Sequence, residues 1–399
     1  MLEKAISFIG LIVFLAIAYI LSENRKRIDR RLVLWGLVLQ FAFAVIILKT
    51  APGRWLFDAA RIVMTKLLDF TEYGASFLFG TLSSDFAIGA TFAFKVLPTI
   101  IFVSSLMGIL YYFKIIQAVV KAISFVMERT MKASGVEAFM AASFVFMGIE
   151  AITALKLYLR KMTRSELFTV MTCFMSTIAG SVMAAYVSFG ASAGHLLAAS
   201  VMSAPAAIVI SKIMIPETES PVSADALATE FKSEDSNVID AAASGAQDGL
   251  KLALTIGAML LAFVAIIGMI DYLLNFTGTS FESISGYLFS PVAFIMGVPY
   301  EDCFAVGKLL GVKVAFNEFL SFQKLQILIE SGALSKRAIT IATYALCSFA
   351  NFGSIAILLG SVNVLAPERK REAAKMSIRA LIAGSMAGFM TATIAGMLL

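Results

Sequence analysis

The stretch FAVGKLLGVKVAFNEFLSFQKL, from Phe304 to Leu325, decides the fold class. It is apolar enough to enter a membrane, yet it carries Lys308, Lys313 and Glu318. An ionised side chain at the centre of a bilayer costs at least ~3 kcal/mol on insertion scales, so these side chains must face protein or water. Glycines lie near the middle of the stretch, so two short helices that turn back explain it better than one span. The sequence predicts a re-entrant helical hairpin.

A second stretch of this kind runs from Phe139 to Leu159 and contains Gly148 and Glu150. Each predicted hairpin is followed by an apolar helix with small polar residues, which read TIAGS at 177–181 and NFGS at 351–354. The order of hairpin, acid and small-polar helix therefore occurs twice. This order is typical of a transporter built from two structural repeats, in which broken helices meet near the midplane of the membrane.

The rest of the chain is equally apolar. Its 399 residues are 59% hydrophobic and 15% charged, which is more apolar surface than one soluble core can bury. We predict an all-α polytopic membrane protein with about eight transmembrane helices, two re-entrant hairpins and interfacial helices. The predicted spans lie near Leu11–Leu21, Val33–Leu48, Val96–Tyr112, Leu167–Val187, Leu197–Ile213, Leu252–Leu274, Ile339–Leu359 and Ile378–Leu398.

Basic residues in the loops set the predicted orientation. They follow the first span and precede the last one, so both loops are expected in the cytoplasm and both termini in the periplasm of a bacterial inner membrane. Lys336 and Arg337 are exceptions to this scheme. The net charge of +5 does not indicate a nucleic-acid partner, because the basic residues lie in short loops between apolar segments. The first span is expected to be retained, because no small-residue cleavage site follows it.

Two further segments are not spans. Residues 55–69 alternate apolar and charged positions at helical spacing and predict an interfacial helix. Residues 216–248 are polar and predict a cytoplasmic linker between the two repeats. The predicted organisation is N-terminal scaffold helices (1–91), a scaffold helix and connector (92–136), the first repeat of a transport domain (137–214), the linker (215–248), a second scaffold helix and connector (249–300) and the second repeat (301–399).

From about Phe92 onward the chain resembles the concentrative nucleoside transporter family of the bacterial nucleoside permease type. The resemblance implies inverted structural repeats and a homotrimer in which each protomer moves a transport domain against a fixed scaffold. It also implies ion-coupled, elevator-like symport of nucleosides into the cell, with no enzyme activity and no cofactor beyond the coupling ion. The matching blocks are FKVLPTIIF (94–102), MTRSEL (162–167), IAGSV (178–182), NVIDAAA (237–243), GVK (311–313), NEF (317–319), YALC (344–347), FANF (349–352) and SI (354–355).

The resemblance also implies a substrate site. Glu318, Asn351 and Ser354 would hold the ribose hydroxyls, Phe349 would pack near the base, and Val182 would line the pocket from the first repeat. The chemistry agrees, because a carboxylate accepts hydrogen bonds from adjacent hydroxyls while amide and hydroxyl groups supply further donors and acceptors.

The first hairpin departs from the family pattern. The family usually has Gly-Gln-Ser/Thr-Glu where this chain has Met147, Gly148, Ile149 and Glu150. We expect Gly148, Ile149 and Glu150 to face the base, but Gly148 and Ile149 lack the hydrogen-bonding groups that normally help to recognise it. The base preference therefore stays open.

The coupling ion is also open between Na⁺ and H⁺. Sodium-coupled members place an Asn where this chain has Ser143 and a Ser where it has Thr177. A hard cation prefers several oxygen ligands, and Ser143, Thr177 and the carbonyls near Phe146 and Ile178 could supply them. In the alternative, Glu150 or Glu318 takes up a proton.

Three other interpretations compete with nucleoside symport. The fold could carry nucleobases or modified nucleosides. The acids could be structural, with Glu318 paired to Lys313 or Lys308 and Glu150 to Lys156. The chain could also be a membrane hydrolase or receptor, since GASAG at 190–194 has the form of a serine-hydrolase motif; that motif requires a strand-to-helix turn, and the one histidine of the sequence, His195, is adjacent to it.

Overall fold

The computed structural model describes residues 2–83, 92–156, 158–221 and 235–399, and in these ranges it contains helices and no β-strand. The predicted all-α fold class is confirmed. The α-helices are α1 (Leu2–Ile20), α2 (Arg30–Lys49), α3 (Ala51–Phe79), α4 (Leu97–Tyr112), α5 (Ile115–Met131), α6 (Gly135–Phe144), α7 (Arg164–Ser176), α8 (Gly180–Ser188), α9 (Ala193–Met214), α10 (Val238–Leu274), α11 (Phe281–Ile295), α12 (Cys303–Ala315), α13 (Glu318–Glu330), α14 (Lys336–Leu346), α15 (Phe352–Leu365) and α16 (Lys370–Leu398).

Within the described ranges, seven helical stretches are long and apolar enough to cross a membrane, judged by length and composition. They correspond to seven of the eight predicted spans. The eighth, Ile339–Leu359, is interrupted at residues 347–351 between α14 and α15, a longer break than residues 177–179 within the stretch Arg164–Ser188. The seven stretches are Leu2–Ile20, Arg30–Lys49, Ala93–Tyr112, Arg164–Ser188, Ala193–Met214, Val238–Thr277 and Pro367–Leu398.

Each predicted repeat is present as a hairpin followed by a broken helix. The first repeat has α6, a 3-10 helix at Ile149–Leu155, and then α7 and α8, which are separated at residues 177–179. The second repeat has α12, α13, and then α14 and α15, which are separated at residues 347–351. The second hairpin is longer than predicted, because its second arm continues to Glu330.

Capping side chains explain why these short helices begin where they do. Ser134 with Glu137 and Thr163 with Glu166 form capping boxes at the starts of α6 and α7. The Asn351 side chain accepts a hydrogen bond from the backbone N–H of Ser354 at the start of α15. Each such cap satisfies backbone donors that have no partner inside the helix.

Two predicted segments have different bounds in the structure. The interfacial segment 55–69 is part of the longer helix α3. The predicted linker ends earlier than expected, because the Asn237 side chain accepts hydrogen bonds from the N–H groups of Ile239 and Asp240, so α10 begins at Val238. The polar residues at 238–248 therefore belong to a helix, while residues 222–234 of the linker lie outside the described ranges.

The N-terminal helices are bonded to both repeats. α1 lies along α16, and α2 lies along α9. The Gln40 amide donates a buried hydrogen bond of 3.0 Å to the Thr391 hydroxyl. The Glu23 carboxylate, just after α1, accepts from Arg164 at 2.8 Å and from Arg379 at 2.7 Å. These contacts attach α1 and α2 to helices of the predicted transport domain.

Arg337, an exception to the predicted charge distribution, has partners inside the protein. Its guanidinium donates to the carbonyls of Gly297 at 2.9 Å and Gly396 at 2.7 Å, and Glu3 lies 3.5 Å away. The Arg337 guanidinium binds groups on α1 and at the end of α16 from its place on α14. It is therefore not a free loop charge, and the positive-inside rule need not apply to it.

Candidate functional site

A cavity of about 90 Å³ lies between the two repeats. All eight residues that the sequence analysis assigned to the substrate lie in its wall, although they come from four separate segments of the chain. The eight are Gly148, Ile149, Glu150, Val182, Glu318, Phe349, Asn351 and Ser354. Most of the remaining wall is apolar and comes from Phe174, Ala179, Leu252, Ile256, Met259, Phe319 and Ile357, with Asn317 as a polar member.

Glu318 is the buried charge of this cavity. It is the first residue of α13, and its residue surface is 3% exposed. One carboxylate oxygen, Oε1, accepts a hydrogen bond of 2.9 Å from the Tyr186 hydroxyl. The other, Oε2, accepts one of 2.8 Å from the Asn351 amide. A carboxylate oxygen can accept a second hydrogen bond, so both oxygens keep capacity for a ligand.

Two helix N-termini point toward this carboxylate. Asn317 caps α13, where its side chain accepts from the N–H of Leu320 at 2.9 Å. Asn351 caps α15 with its oxygen while its amide nitrogen donates to Glu318. The N-terminal end of a helix carries a partial positive charge, so both helices stabilise a negative charge here.

Lys313 occupies the complementary place at two helix C-termini. It lies in the last turn of α12 and is fully buried. Its ammonium donates to the carbonyl of Ala345 in the last turn of α14 at 3.3 Å and to the hydroxyl of Ser348 in the break. Because the C-terminal end of a helix is negative, this position stabilises a buried cation.

The structural alternative for Glu318, a direct ion pair, is not found. Ion pairs within 4 Å among the described residues include none between Glu318 and Lys313 or Lys308. The Lys308 ammonium instead lies 4.9 Å from the centre of the Phe304 ring. No pair between Glu150 and Lys156 occurs in the same set.

At the corresponding place in the first repeat, Ser143 lies in the last turn of α6 and Thr177 directly follows α7. The C-terminal ends of α6 and α7 meet there, and the N–H of Gly180 donates to the carbonyl of Phe146 at 3.0 Å. The Ser143 hydroxyl gives its hydrogen to the Phe139 carbonyl at 2.8 Å, so its oxygen lone pairs remain available to a cation. The Thr177 hydroxyl lies beside the carbonyl of Ile178 at 3.4 Å. Hydroxyl and carbonyl oxygens suit a hard cation.

The two breaks are bonded to each other. The N–H of Phe349 donates to the carbonyl of Thr177 at 3.1 Å. The Phe349 ring lies 5.7 Å from the Phe174 ring at the end of α7. The predicted ion residues and the predicted substrate residues are therefore connected through the backbone.

Gly148 and Glu150 share one space at the tip of the first hairpin. A Cβ atom at residue 148 would lie 2.7 Å from Oε2 of Glu150 and 3.3 Å from the Cβ of Ala179. The carboxylate therefore lies in the space through which the family's glutamine side chain would pass. Gly148 and Glu150 also line a neighbouring cavity of about 190 Å³, whose wall includes Tyr111 and Asp248.

Sequence reasoning missed two parts of the site. Tyr186 lies one helical turn after Val182, so the i, i+4 spacing from a predicted wall residue could have found it. The α10 residues in the wall are ordinary apolar residues of a membrane helix, and no sequence signal separates Met259 from its neighbours.

The hydrolase alternative lacks its structural requirement. The segment 190–194 follows α8 and runs into the first turn of α9, so a helix and not a strand precedes it. His195 packs edge-on against Phe57, and its Nδ1 lies 3.3 Å from the Tyr344 hydroxyl.

Comparisons with known proteins find matches along most of the chain. Three family models match in series: one described as Na⁺ dependent nucleoside transporter N-terminus over residues 9–82, one described as nucleoside recognition over 93–193, and one described as Na⁺ dependent nucleoside transporter C-terminus over 195–396.

Similar proteins extend over the whole chain. Solute carrier family 28 member 3 of Mus musculus is 42% identical over 99% of this chain, which spans 59% of that protein's length. The protein described as uncharacterized transporter YutK of Bacillus subtilis (strain 168) is 41% identical, with 98% of both chains covered. CNTnw in an inward-facing substrate-bound state has a TM-score of 0.93 and 38% identity, with 99% of this chain and 97% of that chain covered. A CNTnw variant in an outward-facing state has a TM-score of 0.92 and 37% identity, covering 100% and 98%.

The buried ammonium of Lys313 should be essential for stability. Lys313→Met keeps most of the volume but leaves the acceptors at Ala345 and Ser348 without their donor, so we expect the free energy of unfolding to fall by about 3 kcal/mol. The matched control is Lys308→Met on the same helix, which should cost less than about 1 kcal/mol. Thermal unfolding of both purified variants in detergent measures the difference, and equal melting temperatures would contradict it.

Proposed function

Since the chain belongs to the family of Na⁺-dependent nucleoside transporters, we propose that it couples nucleoside uptake to the entry of a cation. The observation that carries this proposal is the cavity between the two repeats, in which Glu318 and Asn351 present hydrogen-bonding groups beside an otherwise apolar wall. An apolar pocket with a few convergent polar groups is the usual form of a small-molecule site. The family consists of transporters rather than enzymes.

The second repeat is suited to the ribose. Glu318 accepts hydrogen bonds from substrate hydroxyls through the lone pairs that Tyr186 and Asn351 do not use, and Ser354 lies next to them in the cavity wall. A buried charged acceptor gives a stronger hydrogen bond than a neutral one. We therefore assign the sugar end of the substrate to Glu318, Asn351 and Ser354.

The first repeat would then face the base. The cavity of about 90 Å³ is below the ~300 Å³ at which small-molecule sites usually begin. The base would therefore extend past Gly148 toward the neighbouring cavity of about 190 Å³. Within the first cavity it would meet Ile149 and Glu150, with Phe349 and Val182 against its faces, and Glu150 also lines the neighbouring cavity. Because this part of the wall departs from the family pattern, a nucleobase or a modified nucleoside is the second candidate substrate.

We propose Na⁺ as the coupling ion, held by oxygens of Ser143, Phe146, Thr177 and Ile178. The helix C-termini that meet there favour a cation, and the donors are the hard oxygens that such an ion prefers. When bound, the ion would supply positive charge between the hairpin tip and the first break. A proton on Glu150 or Glu318 is the alternative.

Alternating access then requires the site to move relative to a scaffold. CNTnw has been solved in inward-facing and outward-facing states. We propose that the repeats move together and that α4 and α10 belong to the scaffold. We also place α1 and α2 with the moving unit, because the contacts through Gln40 and Glu23 attach them to the repeats. This differs from the sequence-based assignment of residues 1–91 to the scaffold. The homotrimer, the inner-membrane location and the periplasmic termini stay predictions.

Variants of the two halves of the site should have separate effects on binding. Glu318→Gln removes the charged acceptor, so we expect affinities for all nucleosides to fall about a hundredfold. Gly148→Gln combined with Ile149→Thr should instead change the order of affinities among uridine, cytidine, adenosine and inosine. Competition against labelled uridine on purified protein measures both effects. Unchanged affinities in Glu318→Gln, with Glu330→Gln on the same helix as control, would refute the ribose assignment.

Sodium coupling predicts uptake of labelled uridine into proteoliposomes under an imposed Na⁺ gradient. Ser143→Ala should lower the apparent Na⁺ affinity about tenfold, because a hydroxyl ligand is lost. Ser203→Ala is the matched control, since that buried serine also donates to the carbonyl four residues earlier and lies outside the predicted site. Uptake driven only by a proton gradient would transfer the coupling role to Glu150 or Glu318, and absence of uridine uptake under both gradients would redirect the search to other substrates.

Crosslinking tests which helices move. Phe14 on α1 and Phe389 on α16 have ring centres 5.9 Å apart, so a thiol crosslink between Phe14→Cys and Phe389→Cys should leave uptake intact. Met107 on α4 and Ser181 on α8 line one cavity, and a crosslink between Met107→Cys and Ser181→Cys should stop uptake. The reduced form of each double variant is its control. If the α1–α16 crosslink also stops uptake, α1 belongs to the scaffold.

A further inference from the structure

Tyr186 on α8 joins the first repeat to the carboxylate of Glu318 in the second. We infer that Tyr186 is a positioning residue that fixes how Glu318 meets the ribose hydroxyls and thereby sets the preference for ribose over deoxyribose. This inference rests on the proposed nucleoside site and deepens it by naming what selects the sugar.

The tyrosine ring is held without freedom to turn away. Tyr186 is fully buried. Its ring stacks on Phe322, with centres 4.4 Å apart and planes at 19°, and meets Phe319 nearly edge-on at 4.8 Å. Both phenylalanines lie on α13, the helix that begins with Glu318. The two ring contacts and the hydrogen bond from the Tyr186 hydroxyl to Glu318 therefore hold Tyr186 against the start of α13.

The hydrogen bond has one possible direction when Glu318 is ionised. A carboxylate only accepts, so the phenolic hydroxyl must donate to Oε1 over the 2.9 Å that separates them. Asn351, at the N-terminal end of α15, donates to Oε2. Each oxygen is thus held by one side chain, and the plane of the carboxylate is determined by two donors from different helices.

The acceptor sites that remain on Glu318 determine which sugar hydroxyls can bind there. Of the roughly four acceptor sites of a carboxylate, one on each oxygen is used by a side chain. A sugar with two neighbouring hydroxyls can donate to both oxygens, whereas a deoxy sugar leaves one acceptor facing an apolar wall. An unsatisfied buried charged acceptor is expensive, so the deoxy sugar is penalised by more than the loss of one contact.

Without the hydroxyl of Tyr186, the carboxylate would be free to rotate about its terminal bond, and Oε1 would have an additional free acceptor site. Ribose would then also leave an acceptor site of the carboxylate unsatisfied. The difference in binding free energy between ribose and a deoxy sugar would therefore become smaller. A purely structural tyrosine would behave differently, because loosening the contact between α8 and α13 would weaken the binding of every ligand to the same extent.

The test compares Tyr186→Phe with Tyr344→Phe in the full-length protein. Both tyrosines are fully buried, and both variants keep the ring. The Tyr344 hydroxyl lies near His195 rather than near the cavity, so it is the matched control. Dissociation constants for uridine, 2′-deoxyuridine and 3′-deoxyuridine would be measured by competition against labelled uridine.

We expect wild type and Tyr344→Phe to prefer uridine over at least one deoxy analogue. In Tyr186→Phe, uridine should bind about tenfold more weakly, while that analogue should change less than about threefold, so that the preference shrinks. Equal losses for all three ligands, or no loss at all, would overturn the inference. Wild-type protein that binds none of the three would refute the proposed function itself.

A second measurement covers the case in which Tyr186→Phe does not fold. Incorporation of 3-fluorotyrosine at residue 186 keeps the ring and the hydroxyl but makes the hydroxyl a stronger donor. The ratio of affinities for ribose and deoxyribose should then change. An unchanged ratio would overturn the role assigned to this hydrogen bond.

Discussion

The organisation of the site depends on one constraint: backbone groups exposed by a broken helix inside an apolar protein must find partners. The two breaks satisfy part of this requirement with each other, through the N–H of Phe349 and the carbonyl of Thr177. The hairpin tip satisfies another part, through the carbonyl of Phe146 and the N–H of Gly180. The polar groups of the cavity are therefore arranged first by the needs of the backbone, and a ligand uses the capacity that remains.

The same breaks also sort the charges. A broken helix places one positive and one negative helix end deep in the protein, where the low dielectric makes both effective. Glu318 lies at the N-terminal ends and Lys313 at the C-terminal ends in the second repeat. In the first repeat the C-terminal ends of α6 and α7 carry the hydroxyls of Ser143 and Thr177. Two repeats with the same order of elements thus differ in the side chains at their negative helix ends, which are a lysine in one and hydroxyls in the other.

Much of this was accessible from the sequence, because charge in an apolar stretch has few structural explanations. Glu318 and Glu150 predicted the hairpins, and the motif around Asn351 predicted the residues that line the cavity. The interruption between α14 and α15 was not accessible, since residues 347–350 are small or apolar and the break is stabilised by distant partners such as Lys313 and Thr177. Tyr186 and Met259 were missed for a similar reason: their importance comes from what lies opposite them in space. The attachment of α1 and α2 depends on single polar pairs such as Gln40 and Thr391, which carry no pattern along the chain.

The ammonium of Lys313, which binds the second break from α12, has a consequence for how the protein responds to salt. Lys313 is attached to the chain and fully buried, so its position at the helix ends is filled whatever salts the medium contains. The ion proposed for the first repeat is exchangeable, so its occupancy would instead follow the Na⁺ concentration of the medium. A fall in external Na⁺ would empty the proposed ion site in one repeat, while the other repeat would keep its charge balance.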